Sequence, residues 1–175
     1  MSITERRKGR RLAPWAAAVA FASASAVGTS VPASAADADF SFVLPAGVAC
    51  AGFDLGVVGT GDKRIMREFT DRNGNVVRTL AAGKGYTLTF TNRTTGESLT
   101  LPASGSVQRT TINSDGTSTV VSTGHNVVIF FPTDIPAGPS TTLYVGQIVY
   151  TVDAAGVFTL QSTSGSTTDL CVLLS

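Results

Sequence analysis

The sequence predicts an all-β fold: an antiparallel meander of about ten strands that closes as a barrel or as a two-sheet sandwich. Three observations carry this. Beyond the N-terminal segment Thr, Val and Gly dominate and no window sustains a helical period. Short stretches such as Tyr86-Thr87-Leu88-Thr89-Phe90 alternate apolar and polar residues, as a half-buried strand does. A turn signature also recurs roughly every 20 residues, the spacing of hairpins built from strands of about six residues. It starts at Phe69 (FTDRNGNVVRTL), Phe90 (FTNRTTGESLTL), Thr110 (TTINSDGTSTVV), Phe130 (FFPTDIPAGPSTTLYV) and Tyr150 (YTVDAAGVFTLQS).

Residues 1–35 stand apart from the fold. Arg6, Arg7, Lys8, Arg10 and Arg11 precede an apolar, small-residue run that ends in Ala33-Ser34-Ala35. A basic region, an apolar region and a small-x-small site in that order predict a cleaved signal peptide. The run is interrupted by Ser23, Ser25, Gly28, Thr29 and Pro32 and has no cationic stop after it, which argues against a membrane anchor. The expectation is one secreted β domain over 36–175, about 140 residues long, with nothing apolar enough to span a membrane. Cys50 and Cys171, near its two ends, are expected to form a disulfide in that oxidising compartment.

The strands are placed near 52–59, 63–70, 75–80, 85–92, 97–101, 106–112, 117–122, 126–131, 141–152 and 156–163. Asn73-Gly74 and Asp115-Gly116 join two of the pairs, because both residue types tolerate positive φ. AAGKG, PASGS and STGHN read as loops, the last one containing His125. Residues 126–131 are apolar on both faces and belong deep in the structure or along a groove. The three prolines of PTDIPAGPS mark a long crossover or a lid. TTLYVGQIVYTV is too long and too poor in turn residues for two strands, so it is one strand bent at Gly146. A short last segment carries Cys171. Short loops between successive strands favour a meander, and closing it removes two open edges; the barrel is preferred because only 132–140 looks like a long crossover.

DRNGN poses a choice between a calcium loop and a turn. An EF-hand loop places Gly after its third ligand and a bidentate Glu at position twelve. Here Gly74 comes before Asn75 and position twelve is Ala82, so the stretch reads as a turn and no metal is expected. Other chemistry is sparse. His125 is the only histidine, sits in what reads as an exposed turn, and no G-x-S-x-G is present. One His and two paired Cys do not make a zinc site, and no phosphate loop or dinucleotide fingerprint exists, so no cofactor is expected. Glu68 and Glu97, the only glutamates after the leader, read as solvated surface groups rather than a catalytic pair. Asn92-Arg93-Thr94 fits a glycosylation acceptor, a short motif of little weight.

Charge is distributed unevenly. The whole chain has 13 basic and 12 acidic residues, but five bases and Glu5 lie in the leader, which leaves eight bases, eleven acids and a net of −3. That balance argues against nucleic acid as a partner. All eight bases fall within 63–109: Lys63, Arg64, Arg67, Arg72, Arg78, Lys84, Arg93 and Arg109. Residues 110–175 hold four acids and no base. In a meander this concentrates positive charge on one side, an anion-binding face in which Lys63, Arg64, Arg67, Arg78, Arg93 and Arg109 are the candidates, for an anionic cell-wall polymer or an acidic partner. Cross-strand ion pairing is the competing account of the same clustering.

FTDRNGNVVR, FTNRTTGESLTL, FPTDIPAGPSTTLYVG and the Ala-rich leader together resemble small exported β-rich proteins of actinobacterial type with no assigned activity. The resemblance implies export and a single β domain, and it implies no catalytic or binding residue. Three functions follow in order of preference. The first is a secreted, non-enzymatic binding or interaction domain. The second is a calycin-like barrel that holds a small apolar ligand, and the third is a small barrel enzyme using carboxylates or a tyrosine. A hollow or a filled interior discriminates among them.

Overall fold

A computed structural model of the protein describes residues 38–175. The predicted signal peptide and its cleavage site lie outside the described residues. The described chain forms ten strands and one short helix, and every strand pairing is antiparallel. The strands are β1 (Phe40–Leu44), β2 (Leu55–Thr60), β3 (Lys63–Thr70), β4 (Val76–Lys84), β5 (Thr87–Asn92), β6 (Ser98–Leu101), β7 (Gly105–Ile112), β8 (Ser118–Phe130), β9 (Ser140–Val152) and β10 (Phe158–Asp169), followed by α1 (Leu170–Leu173). They make a four-stranded sheet in the order β1-β2-β5-β6 and a six-stranded sheet in the order β10-β9-β8-β7-β4-β3.

Neither sheet closes on itself, so the preferred barrel gives way to two sheets packed on one another. Only β7 to β10 run as a meander. Earlier, the chain changes sheet three times, at Gly61-Asp62, Gly85-Tyr86 and the 102–104 turn. These connections are as short as hairpin loops, which is why length alone read them as hairpins; they are corners where strands switch sheets. Two other expectations change. β1 was absent from the predicted strands, and the stretches near 117–122 and 126–131 are one strand, β8, with STGHN inside it rather than in a loop. The total of ten survives because one strand is gained and two merge.

The turn reading of DRNGN holds in detail. Asp71 N–H donates to Asn75 O at 2.9 Å, Gly74 has φ 83°, and Asp71 Oδ1 accepts from the amides of Asn73 and Asn75 at 2.8 and 2.9 Å. Asp153 with Gly156 repeats the pattern between β9 and β10. The same local chemistry, an Asx oxygen capping amides and a glycine at positive φ, therefore builds these hairpins. The 131–139 loop joins neighbouring strands β8 and β9, so it is a hairpin loop and not a crossover.

The large sheet is creased along a row of glycines. Gly83 of β4, Gly124 of β8, Gly146 of β9 and Gly165 of β10 have φ of 137°, 99°, 139° and 96°. They lie in one cross-strand row, with Ser106 of β7 between Gly83 and Gly124. A Cβ on Gly83 would stand 2.7 Å from Lys63 O, and those on Gly124, Gly146 and Gly165 would run into the carbonyl oxygens of Gly105, Ser164 and Val145. Only glycine combines that φ with so close an approach. A flat strand pair would separate Phe130 and Phe158 by about 40 Å along the strands. Instead Ile135, in the β8–β9 loop, donates to Phe158 O at 2.8 Å and accepts from Leu160 N–H at 2.7 Å, and Asp134 Oδ1 accepts from Phe158 N–H at 2.9 Å. The two halves of the sheet are thus folded together, and Val128, Phe130 and Tyr144 of one half pack with Ile148, Tyr150, Phe158 and Leu160 of the other.

The opposite face of the far half, Val127, Ile129 and Leu143, packs on the small sheet around Leu55, Val57, Phe90, Leu170 and Leu174. Cys50 and Cys171 are bonded with Cα atoms 5.6 Å apart, joining the β1–β2 loop to α1 across 121 residues. Asn92 Nδ2 donates to Leu174 O at 2.9 Å and Thr141 Oγ1 to Ala49 O at 3.1 Å, so the C-terminal residues are tied to the small sheet and the β1–β2 loop to the large one. Asn92 is 2 % exposed, which leaves its amide no room for a glycan in the folded protein.

Two outcomes are expected. Gly146→Ala lowers the stability by about 3 kcal/mol or more, the upper range for one substitution, whereas Gly74→Ala, in open space, loses about 1–2 kcal/mol; urea denaturation of both variants checks the order. Replacing Cys50 and Cys171 together by serine removes about 2–4 kcal/mol, since their loop is long, and the melting temperature reads it.

Candidate functional site

Ladder registers decide which basic residues share a face. Arg67 is opposite Leu80, which is opposite Arg109; Phe69 is opposite Arg78; Lys63 is opposite Lys84; Ile65, Ala82 and Val107 form the row between. Directly opposed residues point to the same side, as do alternate residues along a strand. Lys63, Arg67, Arg78, Lys84 and Arg109 therefore occupy one face of β3, β4 and β7, with no acid among them. This is the outer face of the near half of the creased sheet. All eight residues of β3 are exposed, and Ile65, Val107 and Phe69 on this face are 71 %, 45 % and 37 % exposed.

The face is electrostatically uncompensated. Among the described residues the one salt bridge is Arg64 with Asp62, and it lies on the other face. Lys63 and Lys84 are directly opposed like charges, an unfavourable cross-strand pair. Arg78 rests its guanidinium 4.4 Å from the centroid of the Phe69 ring. Cross-strand ion pairing therefore does not account for the clustering.

The six sequence candidates separate. Lys63, Arg67, Arg78 and Arg109 come together, and Lys84, outside the candidate set, joins them through its register with Lys63. Arg64 points to the inner face, where Nε and Nη2 donate to Asp62 at 2.9 and 2.8 Å and the guanidinium stands 5.3 Å from the Tyr86 ring centroid. Arg93 follows β5 on the small sheet and packs over Gly56. Both lie apart from the cationic face: the alternation of β3 turns Arg64 inward, and the sheet switch after β4 carries Arg93 away. Glu68 lies on β3 of the large sheet and Glu97 in the β5–β6 turn of the small one. His125 is exposed but sits mid-strand in β8, which corrects the turn assignment.

A second feature escaped the sequence. Where the Gly85-Tyr86 and 102–104 corners meet the crease, beside Arg64, there is a cleft of about 340 Å³. Its apolar wall includes Leu88, Leu101, Val128, Leu143 and Ile148, and its polar groups include Ser122, Gln108, Asn126 and Arg64. No family model, no curated protein and no solved structure matches this chain. No helix of the described residues is long and apolar enough to cross a membrane.

The Arg64 hydrogen bonds hold the Asp62 carboxyl down to about 2, against an ordinary aspartate near 4. A depressed carboxyl pKa favours the fold above the ordinary value and loses that contribution as pH falls toward 2. A carbon-detected NMR titration is expected to give an Asp62 midpoint near 2, returning toward the ordinary range in Arg64→Ala.

Proposed function

We propose that this chain is an exported, non-enzymatic interaction domain that docks an acidic, partly apolar polypeptide surface on the outer face of β3, β4 and β7. One observation carries the reading: five cations share an uncovered sheet face with no acid and no ion pair, and exposed Ile65, Phe69 and Val107 are interleaved with them. A purely polyanionic ligand needs the charges and not the aliphatic side chains. Arginine with exposed aromatic and aliphatic residues is the composition of protein interfaces. The opposed Lys63 and Lys84 have their repulsion relieved when an acidic group sits between them. Export is supported by the three-part leader and by the Cys50–Cys171 bond, which suits an oxidising compartment.

The test uses immobilised poly-glutamate, a polyphosphate resin and an insoluble cell-wall fraction. Wild-type protein is expected to be retained best by poly-glutamate at low salt and released as ionic strength shortens the screening length below about 8 Å. Arg67→Glu with Arg109→Glu is expected to weaken retention about tenfold, ~1.4 kcal/mol, while Arg93→Glu leaves it unchanged. Equal loss in the Arg93 variant, or no salt-sensitive retention, refutes the reading, and preference for the wall fraction replaces the polypeptide with a wall polymer.

A further inference from the structure

The cleft at the crease is built from parts that do not belong to the cationic face. The registers put Gln108, Ser122, Ile148 and Tyr150 on the inner side of the near half, opposite in direction to Arg67 and Arg109. β7 begins at Gly105 and its ladder with β8 stops at Gly124, whereas β8 continues to Phe130 with no strand on that side. The cleft therefore runs along an open backbone edge, beginning at His125 and Asn126, with the small sheet's Leu88 and Leu101 on its other side.

Its polar groups are unbalanced. The lining contains hydroxyls, side-chain amides, a histidine and an arginine, and no carboxylate. The Arg64 charge is matched by Asp62 at 2.8 Å, so no net charge is left to recognise an ionic group. Burial raises the Tyr150 phenol above its usual range, which keeps it a neutral hydroxyl. Asn126 is the telling residue. Its Oδ1 accepts from Ser122 Oγ at 3.0 Å, and its Nδ2 is the one buried side-chain polar atom without a hydrogen-bond partner among the described residues. An unsatisfied buried N–H is unfavourable by about 1–3 kcal/mol, and since Asn126 lines the cleft a ligand's acceptor relieves that cost when the amide turns toward it.

We propose that this cleft binds a small, uncharged molecule with an apolar body and a carbonyl or ether oxygen that accepts from Asn126 Nδ2. The apolar body lies between the Leu88–Leu101 side and Ile148. The ligand is not held in a barrel lumen, since the sheets do not close; it sits in the angle between the crease and the Gly85-Tyr86 and 102–104 corners. Binding here is independent of docking on the outer face, because the two sites use opposite sides of the same strands.

Nile red serves as the probe: it is neutral, carries carbonyl and ring acceptors, and has no N–H or O–H donor. Titration into the wild-type protein is expected to give one saturable site per chain with blue-shifted emission. Asn126→Asp, which replaces the donor by an acceptor of the same shape, is expected to weaken binding roughly fivefold or more, the equivalent of one neutral hydrogen bond. Gln108→Trp is expected to fill the cleft and abolish the signal, with the melting transition retained as the check on folding. Leu101→Trp repeats the block from the small sheet, should the first variant not fold. Ile65→Ser with Val107→Ser, on the outer face, is expected to leave the Nile red titration unchanged. The proposal is overturned if no saturable site exists, if the cleft variants bind as the wild type does, or if the outer-face pair removes the signal.

Discussion

Gly83, Gly124, Gly146 and Gly165 stand in one row across the large sheet, and each needs both a positive φ and the absence of a side chain. A sheet of long strands would otherwise twist smoothly, with side chains alternating between two continuous faces. The glycine row concentrates the bend in one line. Strands of 13, 13 and 12 residues, β8, β9 and β10, can then serve two layers, one half folded against the other and the far half packed on the small sheet. The buried Asp134, accepting from Phe131 and Phe158 N–H, holds the fold-back at its tip, because a carboxylate with two amide donors has its charge solvated by the backbone.

This arrangement separates two kinds of surface on the same strands. Successive residues of β3 face opposite ways, so Lys63, Ile65, Arg67 and Phe69 look outward while Arg64 looks toward the corners and Asp62. The outer face keeps its charge because no acidic strand lies against it. The cleft on the inner side has its one arginine, Arg64, paired with Asp62, and Asn126 is part of its lining. A charged, solvated face outside and a partly desolvated, hydrogen-bonding cleft inside call for different neighbours, and strand alternation supplies both without extra chain.

The ends of the domain are secured by unlike means. The disulfide restricts the unfolded chain across 121 residues. The Asn92 and Thr141 bonds satisfy backbone carbonyls that burial would otherwise leave without water. Asp169 caps α1 by accepting from Val172 N–H at 3.1 Å. These contacts bring Leu170 and Leu174, both fully buried, into the core of the small sheet, so the last residues complete the core.

The amino-acid sequence by itself determined the features that depend on neighbours along the chain. Asp71 to Asn75 specifies its turn, alternation specifies strands such as β5, Gly146 marks the bend in β9, and two cysteines in the predicted mature chain leave one pairing. It also showed that the cations of the predicted mature chain are concentrated within 63–109. What it left open depends on which strands become neighbours. Two- and three-residue connections fit a hairpin or a corner equally well, so Gly61-Asp62 and Gly85-Tyr86 did not reveal that the chain changes sheet, and a barrel looked natural. The glycines of the crease are 41, 22 and 19 positions apart in the sequence and meet only through strand register. Lys84 joined Lys63 and Arg93 left the group for the same reason. The cleft exists only where two corners meet the crease, and Asn126 counts as unsatisfied only once every other group around it is placed; tertiary structure decided both, because hydrogen-bond satisfaction and concavity are properties of packed neighbours and not of a sequence window.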